Sequence, residues 1–122
     1  ALHQGFVDAG SDILLTNSFG GTAFRLKLHQ FENRVFELNK AAAIIARKVA
    51  DKADRLVVVA GSMGPTGEII EPHGVLSSKA ATEAFKAQAE GLVEGGVDVL
   101  WLETMYAMEE LEAAIEAVKE FG

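Results

Sequence analysis

The residue best placed to do chemistry is a carboxylate at the end of an apolar run. Glu103 directly follows Val99-Leu-Trp-Leu102, and a charge at the mouth of a buried strand is costly unless it is paired or solvated. Ionised, Glu103 can accept hydrogen bonds from an ammonium group; protonated, it can act as an acid. The alternative is a structural ion pair with a neighbouring unit, because buried charges tend to be paired. Two polar loops could share a site with it. Thr16-Asn-Ser-Phe-Gly-Gly-Thr22 offers hydroxyls, an amide and two glycines, which either hydrogen-bond a small polar ligand or satisfy a strand-to-helix turn. Gly61-Ser-Met-Gly-Pro-Thr-Gly-Glu68 is rich enough in glycine and proline to specify a rigid turn with backbone amides to spare. It lacks the spacing and the Lys-Ser or Lys-Thr of a P-loop. It either touches ligand or only shapes the pocket.

Other chemistries find little support. His3, His29 and His73 are far apart and form no helical His pair of the kind that binds zinc, so they are expected to be ordinary surface or loop residues. No serine sits in a nucleophile elbow. Glu109, Glu110 and Glu112 read as the solvated start of a helix, where the helix dipole favours negative charge. The absence of cysteine excludes disulfides, thiolate chemistry and a Cys-based metal site within these residues. A net charge of −7 with 11 scattered basic residues argues against nucleic acid or anionic membranes as partners. The longest apolar runs are too short to span a bilayer.

These residues must be held by the elements around them. With 122 residues, 49% hydrophobic and 24% charged, the chain is composed like one soluble globular domain. Asp12-Ile-Leu-Leu-Thr16, Leu56-Val-Val-Val-Ala60 and Asp98-Val-Leu-Trp-Leu102 are continuous apolar runs, which predicts strands of a parallel sheet buried on both faces. Helical periods lie between and after them: Val35, Leu38, Ala42, Ile45, Val49; then Ala81, Phe85, Gln88, Leu92; then Leu111, Ile115, Val118. Gly10 and Gly95-Gly96 stand where helices should stop in left-handed caps, so residues 1–9 read as the tail of a helix. Gly10-Ser-Asp-Ile-Leu-Leu-Thr-Asn17 is echoed by Gly96-Val-Asp-Val-Leu-Trp-Leu-Glu103. The alternation of strand and helix predicts an α/β fold with right-handed crossovers. Three strands alone would leave two long unpaired edges, so residues 1–122 read as a fragment of a (β/α)8 TIM barrel, about three of its eight units.

Taken together, Asp12 to Thr22, Val59 to Glu68 and Gly96 to Met105 resemble the homocysteine S-methyltransferase family, which includes betaine–homocysteine methyltransferases and the homocysteine module of methionine synthase. The resemblance implies that residues 1–122 are a partial homocysteine-binding barrel domain spanning about strands 2 to 4. It implies methyl transfer to the sulfur of homocysteine, giving methionine, with the substrate thiol held as a thiolate on zinc. The family's zinc-binding cysteines lie on later strands, so Zn2+ belongs to the complete enzyme and no residue here is expected to ligate it. Glu103 corresponds to the carboxylate that receives the substrate amino group; Thr16, Asn17, Gly61 and Ser62 correspond to pocket-forming positions. The implied partners are homocysteine and a small methyl donor (betaine, S-methylmethionine or methylfolate through cobalamin), in a cytoplasmic enzyme. Two other assignments stay open: a phosphate-binding barrel enzyme, and a non-catalytic half-barrel that binds a ligand or self-associates as a homo-oligomer through its sheet edges.

Overall fold

The computed structural model describes residues 1–122. Helix α1 (Leu2–Asp8) leads into strand β1 (Ile13–Leu15); a short helix α2 (Ala23–Leu26) and two 3₁₀ turns then precede α3 (Val35–Ala50). Strand β2 (Val58–Met63), helix α4 (Ser78–Glu94), strand β3 (Val99–Leu102) and helix α5 (Met108–Val118) complete the order, with a 3₁₀ turn after it. Ser77 caps α4 by accepting the Ala80 N–H at 3.1 Å, satisfying one of the donors a helix start leaves free. The three strands pair in sequence order and in parallel. β2 runs three residues further than its apolar run predicted, through Gly61-Ser62-Met63, because its partner continues: Ser62 pairs with Trp101 and Met63 with Leu102.

Successive strand residues point to opposite faces, and the two faces differ sharply. On one, Leu14 and Val59 pack on Ala46 and Ala50 of α3, while Met63 and the half-buried Leu100 and Leu102 pack among Phe85, Ala89 and Leu92 of α4 and Ala113 and Ala117 of α5. On the other, Ile13, Leu15, Val99 and Trp101 remain 44–49% exposed. The expectation that both faces are buried is therefore corrected: all three long helices cover the same face.

The helical stripes show the same asymmetry. Ala81, Phe85, Gln88 and Leu92 of α4 are all fully buried, as their period predicts. In α3 the buried set is Val35, Asn39, Ala43, Ala46 and Ala50, so beyond Val35 the predicted stripe is rotated outward and Ile45 is 58% exposed. In α5 the buried set is Glu110, Ala113, Ala114 and Ala117, and Ile115 is likewise left exposed. α4 packs against both α3 and α5, whereas those two have a long-helix neighbour on one side only. Alanine fills the close contacts, and the bulky residues face where no neighbour stands.

The internal echo has a structural role. Gly10 (φ 98°) and Gly96 (φ 96°) take the left-handed turn that glycine adopts without a Cβ penalty, and an aspartate follows two residues later at each strand entrance. Asp12 accepts Arg55 Nη1 at 2.8 Å, and the same guanidinium donates to the Val7 and Ser11 carbonyls. Asp98 Oδ2 accepts Arg47 Nη1 at 2.8 Å and the Val59 N–H at 2.7 Å. Burial opposes ionisation of Asp98, but the Val59 N–H and the Arg47 guanidinium outweigh it and hold the carboxyl below its ordinary value. A depressed carboxylate stabilises the fold above its unfolded pKa of about 3.9, and that contribution drains away as pH falls through the lower folded value. Asp98→Asn is expected to lower the thermal midpoint at pH 7 by the equivalent of about 0.2–1 kcal/mol, the range for a half-exposed pair. The gap to the parent protein should narrow as the melts are repeated at successively lower pH below the unfolded value.

Candidate functional site

The carboxyl ends of the three strands bring Thr16, Ser62 and Glu103 together. Ser62 and Glu103 lie on the open face of the sheet, in the rows that carry Ala60 and Trp101. The Ser62 hydroxyl donates to Glu103 Oε1 at 2.6 Å. Glu103 is half-buried and its own N–H bonds the Met63 carbonyl at 3.1 Å, so its backbone is pinned to β2. No Lys or Arg of the chain forms an ion pair with it. The next residue, Thr104, has φ 62°, an unusual conformation for a β-branched residue, and such strain tends to collect at functional sites.

Thr16 is 4% exposed and turns its hydroxyl inward. Its Oγ1 accepts the Ser62 N–H at 3.0 Å and lies 2.5 Å from Ser18 Oγ, while Ser18 Oγ donates to the Ser62 carbonyl at 2.7 Å. Thr16 therefore acts on the strand end beside it. Asn17 is exposed and lines an open cleft with Ile13 and Leu15. Gly61 sits on the opposite, helix-facing side: a Cβ there would meet Leu92 at 3.1 Å and Val97 at 3.2 Å. The missing side chain lets α4 approach the sheet at this position.

Two polar side chains join the site to its scaffold, in roles that the sequence pattern did not assign them. Asn39 Nδ2 donates to the Gly21 and Val35 carbonyls at 2.9 and 2.7 Å, and Gln88 Nε2 donates to the Ser18 carbonyl and Asn39 Oδ1 at 2.7 and 3.2 Å. Gln88 Oε1 is left buried without a partner. Flipping the amide would aim an oxygen at the Ser18 carbonyl, so the orientation is forced. Gln88 was legible as the one polar member of an otherwise apolar stripe, whereas Asn39 lies off the stripe read for α3 and carried no such signal. Phe19 lies over Gly64, where a Cβ would come within 2.5 Å of the ring, so the loops after β1 and β2 support one another.

Glu110 departs from the expected solvated helix start. Only 1% exposed, it accepts the Thr66 N–H at 2.9 Å and the Thr66 hydroxyl at 2.7 Å on one oxygen. It thus ties the loop after β2 to α5, and of the predicted solvated trio only Glu112 is exposed, with Glu109 half-buried. The histidines match expectation, with His29 and His73 exposed and His3 half-buried. No three His, Cys, Asp or Glu side chains converge on a point that could hold a metal ion, so the donor set of this chain does not suit zinc. No helix is long and apolar enough to cross a membrane.

An α/β unit with polar side chains gathered at the carboxyl ends of parallel strands has the general form of a small-molecule site, and comparison with known proteins makes the class specific. The homocysteine S-methyltransferase family model matches residues 1–121. Methionine synthases from Mycobacterium leprae and Mycobacterium tuberculosis are 31% and 32% identical over 117 residues, covering 93% of this chain and 10% of each relative. The crystal structures of the Escherichia coli homocysteine methyltransferase MmuM superpose with TM-scores of 0.79 (metallated form) and 0.81 (oxidized form) at 25% identity, covering 98% of this chain and 46% and 45% of those chains. The chain belongs to the homocysteine S-methyltransferase family. It spans about a tenth of the length of these curated relatives and under half of the solved ones.

The Thr66–Glu110 contact is directly testable. Thr66→Val removes a hydroxyl donor to a buried carboxylate and the acceptor of the Glu68 N–H. Urea unfolding is expected to show a loss of about 1–3 kcal/mol, the usual cost of breaking a buried charge-assisted bond.

Proposed function

We propose that this chain forms the amino-group pocket of a homocysteine S-methyltransferase, with Glu103 accepting the substrate ammonium. The observation that carries this reading is the state of Glu103: half-buried, bonded on one oxygen by Ser62 and paired with no cation of the chain. Such a carboxylate at a strand mouth favours a cationic group of a ligand, because a partly desolvated charge gains most from a charged donor. Homocysteine supplies that group. Ser62 steadies the carboxylate, Asn17 offers an amide at the same rim, Thr16 holds the Ser62 backbone and Gly61 keeps the strand close to α4. Glu103 and Asn17 bind the substrate and the other three hold them in place, so that its sulfur can attack the methyl group of the donor as the bond to the leaving group breaks.

The same reading places residues 1–122 in a (β/α)8 barrel, as about its second to fourth units. Unpaired edges at β1 and β3 call for further strands, and exposed Ile13, Leu15, Val99 and Trp101 suit a barrel interior. The outward Ile45 and Ile115 suit contacts with flanking helices. The zinc that the family resemblance implies is assigned to polypeptide outside these residues, since their donor set does not suit it. A soluble cytoplasmic enzyme with a small methyl donor completes the proposal.

In the complete enzyme, Glu103→Gln is expected to weaken binding of L-homocysteine by about 1.5–3 kcal/mol, read by calorimetry; an unchanged affinity would make the carboxylate structural. The 122-residue chain alone, dialysed against a weak chelator, is expected to retain no stoichiometric zinc by atomic absorption. Retention would place the metal site here.

A further inference from the structure

We propose that Ser18, acting with Thr16, is a positioning residue that sets Glu103 through Ser62, an inference that rests on the role of Glu103 as ammonium acceptor. At the end of β1, side-chain hydroxyls replace the main-chain ladder. The last backbone bond of this pair at the carboxyl end is Thr16 N–H to the Ala60 carbonyl at 2.9 Å. Beyond it, the Ser62 N–H is taken by Thr16 Oγ1 and the Ser62 carbonyl by Ser18 Oγ. Both main-chain polar groups of Ser62 are thus fixed by hydroxyls, and its side chain reaches Glu103.

The proton order follows from counting donors. A carbonyl can only accept, so the single hydroxyl hydrogen of Ser18 is committed to Ser62. In the 2.5 Å contact between Thr16 Oγ1 and Ser18 Oγ, Thr16 is therefore the donor. The result is a closed, one-directional ring: Ser62 N–H to Thr16, Thr16 hydroxyl to Ser18, Ser18 hydroxyl to the Ser62 carbonyl. Neither Thr16 nor Ser18 has a hydrogen left for a ligand, and both are at least 95% buried. Their hydroxyls act on Ser62 alone. The Ser18 carbonyl is itself anchored by Gln88 from α4 at 2.7 Å and by the Gly21 N–H at 2.9 Å, so the ring is referred to the helical layer. Loss of either hydroxyl leaves a Ser62 backbone group buried and unsatisfied, which favours movement of that strand end, and the Ser62–Glu103 contact moves with it.

The test is calorimetric binding to the complete enzyme of two ligands: L-homocysteine, and 4-mercaptobutanoate, which has the same thiol and carboxylate but no amino group. Ser18→Ala is expected to weaken homocysteine binding on the order of tenfold while leaving the affinity for 4-mercaptobutanoate unchanged. Should Ser18→Ala fail to fold, Thr16→Val, close to isosteric, carries the same expectation, and Thr16→Ser, which keeps the hydroxyl, should restore what Thr16→Val loses. An equal loss for both ligands would show general damage to the pocket and overturn the positioning role. Glu103→Gln separates the two levels of argument. If it selectively weakens homocysteine while Ser18→Ala and Thr16→Val do not, the ring fails and the Glu103 assignment stands. If Glu103→Gln itself shows no selectivity, both fall.

Discussion

A parallel strand pair cannot be closed by a tight turn; its connection must cross a face of the sheet, and in this chain the crossovers all land on the same face. From that constraint follows the division of the molecule. One face is sealed by α3, α4 and α5 through alanines and a few large side chains, Phe85 and Leu92 foremost. The other keeps Leu15, Val99 and Trp101 open. Parallel strands also end together at one rim, so Thr16, Ser62 and Glu103 meet there although they are far apart in sequence.

At that rim the regular ladder gives way to side chains, and this change is what gathers the polar groups of the candidate site. A backbone bond can only continue the sheet. A hydroxyl that accepts from one group and donates to another can stop the sheet while leaving nothing buried unpaired. Thr16 and Ser18 do this for Ser62, and Ser62 has its own hydroxyl free for Glu103. The cost is borne deeper in the protein, where Asn39 and Gln88 carry polar groups into the helical layer and Gln88 Oε1 finds no partner. The loop after β2 is secured separately through Thr66 and Glu110, so the two loops around Glu103 are anchored to different helices.

Much of this was legible in the residues because local signals agreed with the fold. Apolar runs located the strands, Gly10 and Gly96 marked the turns before them, and the position of Glu103 after Leu102 marked the rim where the strands end. What the pattern concealed came from packing. Periodicity identifies an apolar stripe but not which neighbours are present, so Leu38, Ile45 and Ile115 appeared as core although alanines of the same helices fill it. Composition cannot tell a solvated carboxylate from a buried one when both begin a helix, which hid Glu110. Ser18 looked like one more polar turn residue; its partner Ser62 is 44 positions away, and only the pairing of β1 with β2 brings them together. The match with the homocysteine S-methyltransferase family agrees with the resemblance of the strand-end motifs as a set.

The central claim is that Glu103 is a receptor for the amino group of homocysteine, and a crystal structure of the complete enzyme with L-homocysteine bound tests it most directly. The account predicts the substrate nitrogen about 2.7–2.9 Å from a Glu103 carboxylate oxygen, the range for a charge-assisted bond, with the Ser62 hydroxyl still on Oε1. An ammonium group bound elsewhere, with Glu103 held only by Ser62 or by a cation from another part of the protein, would contradict it.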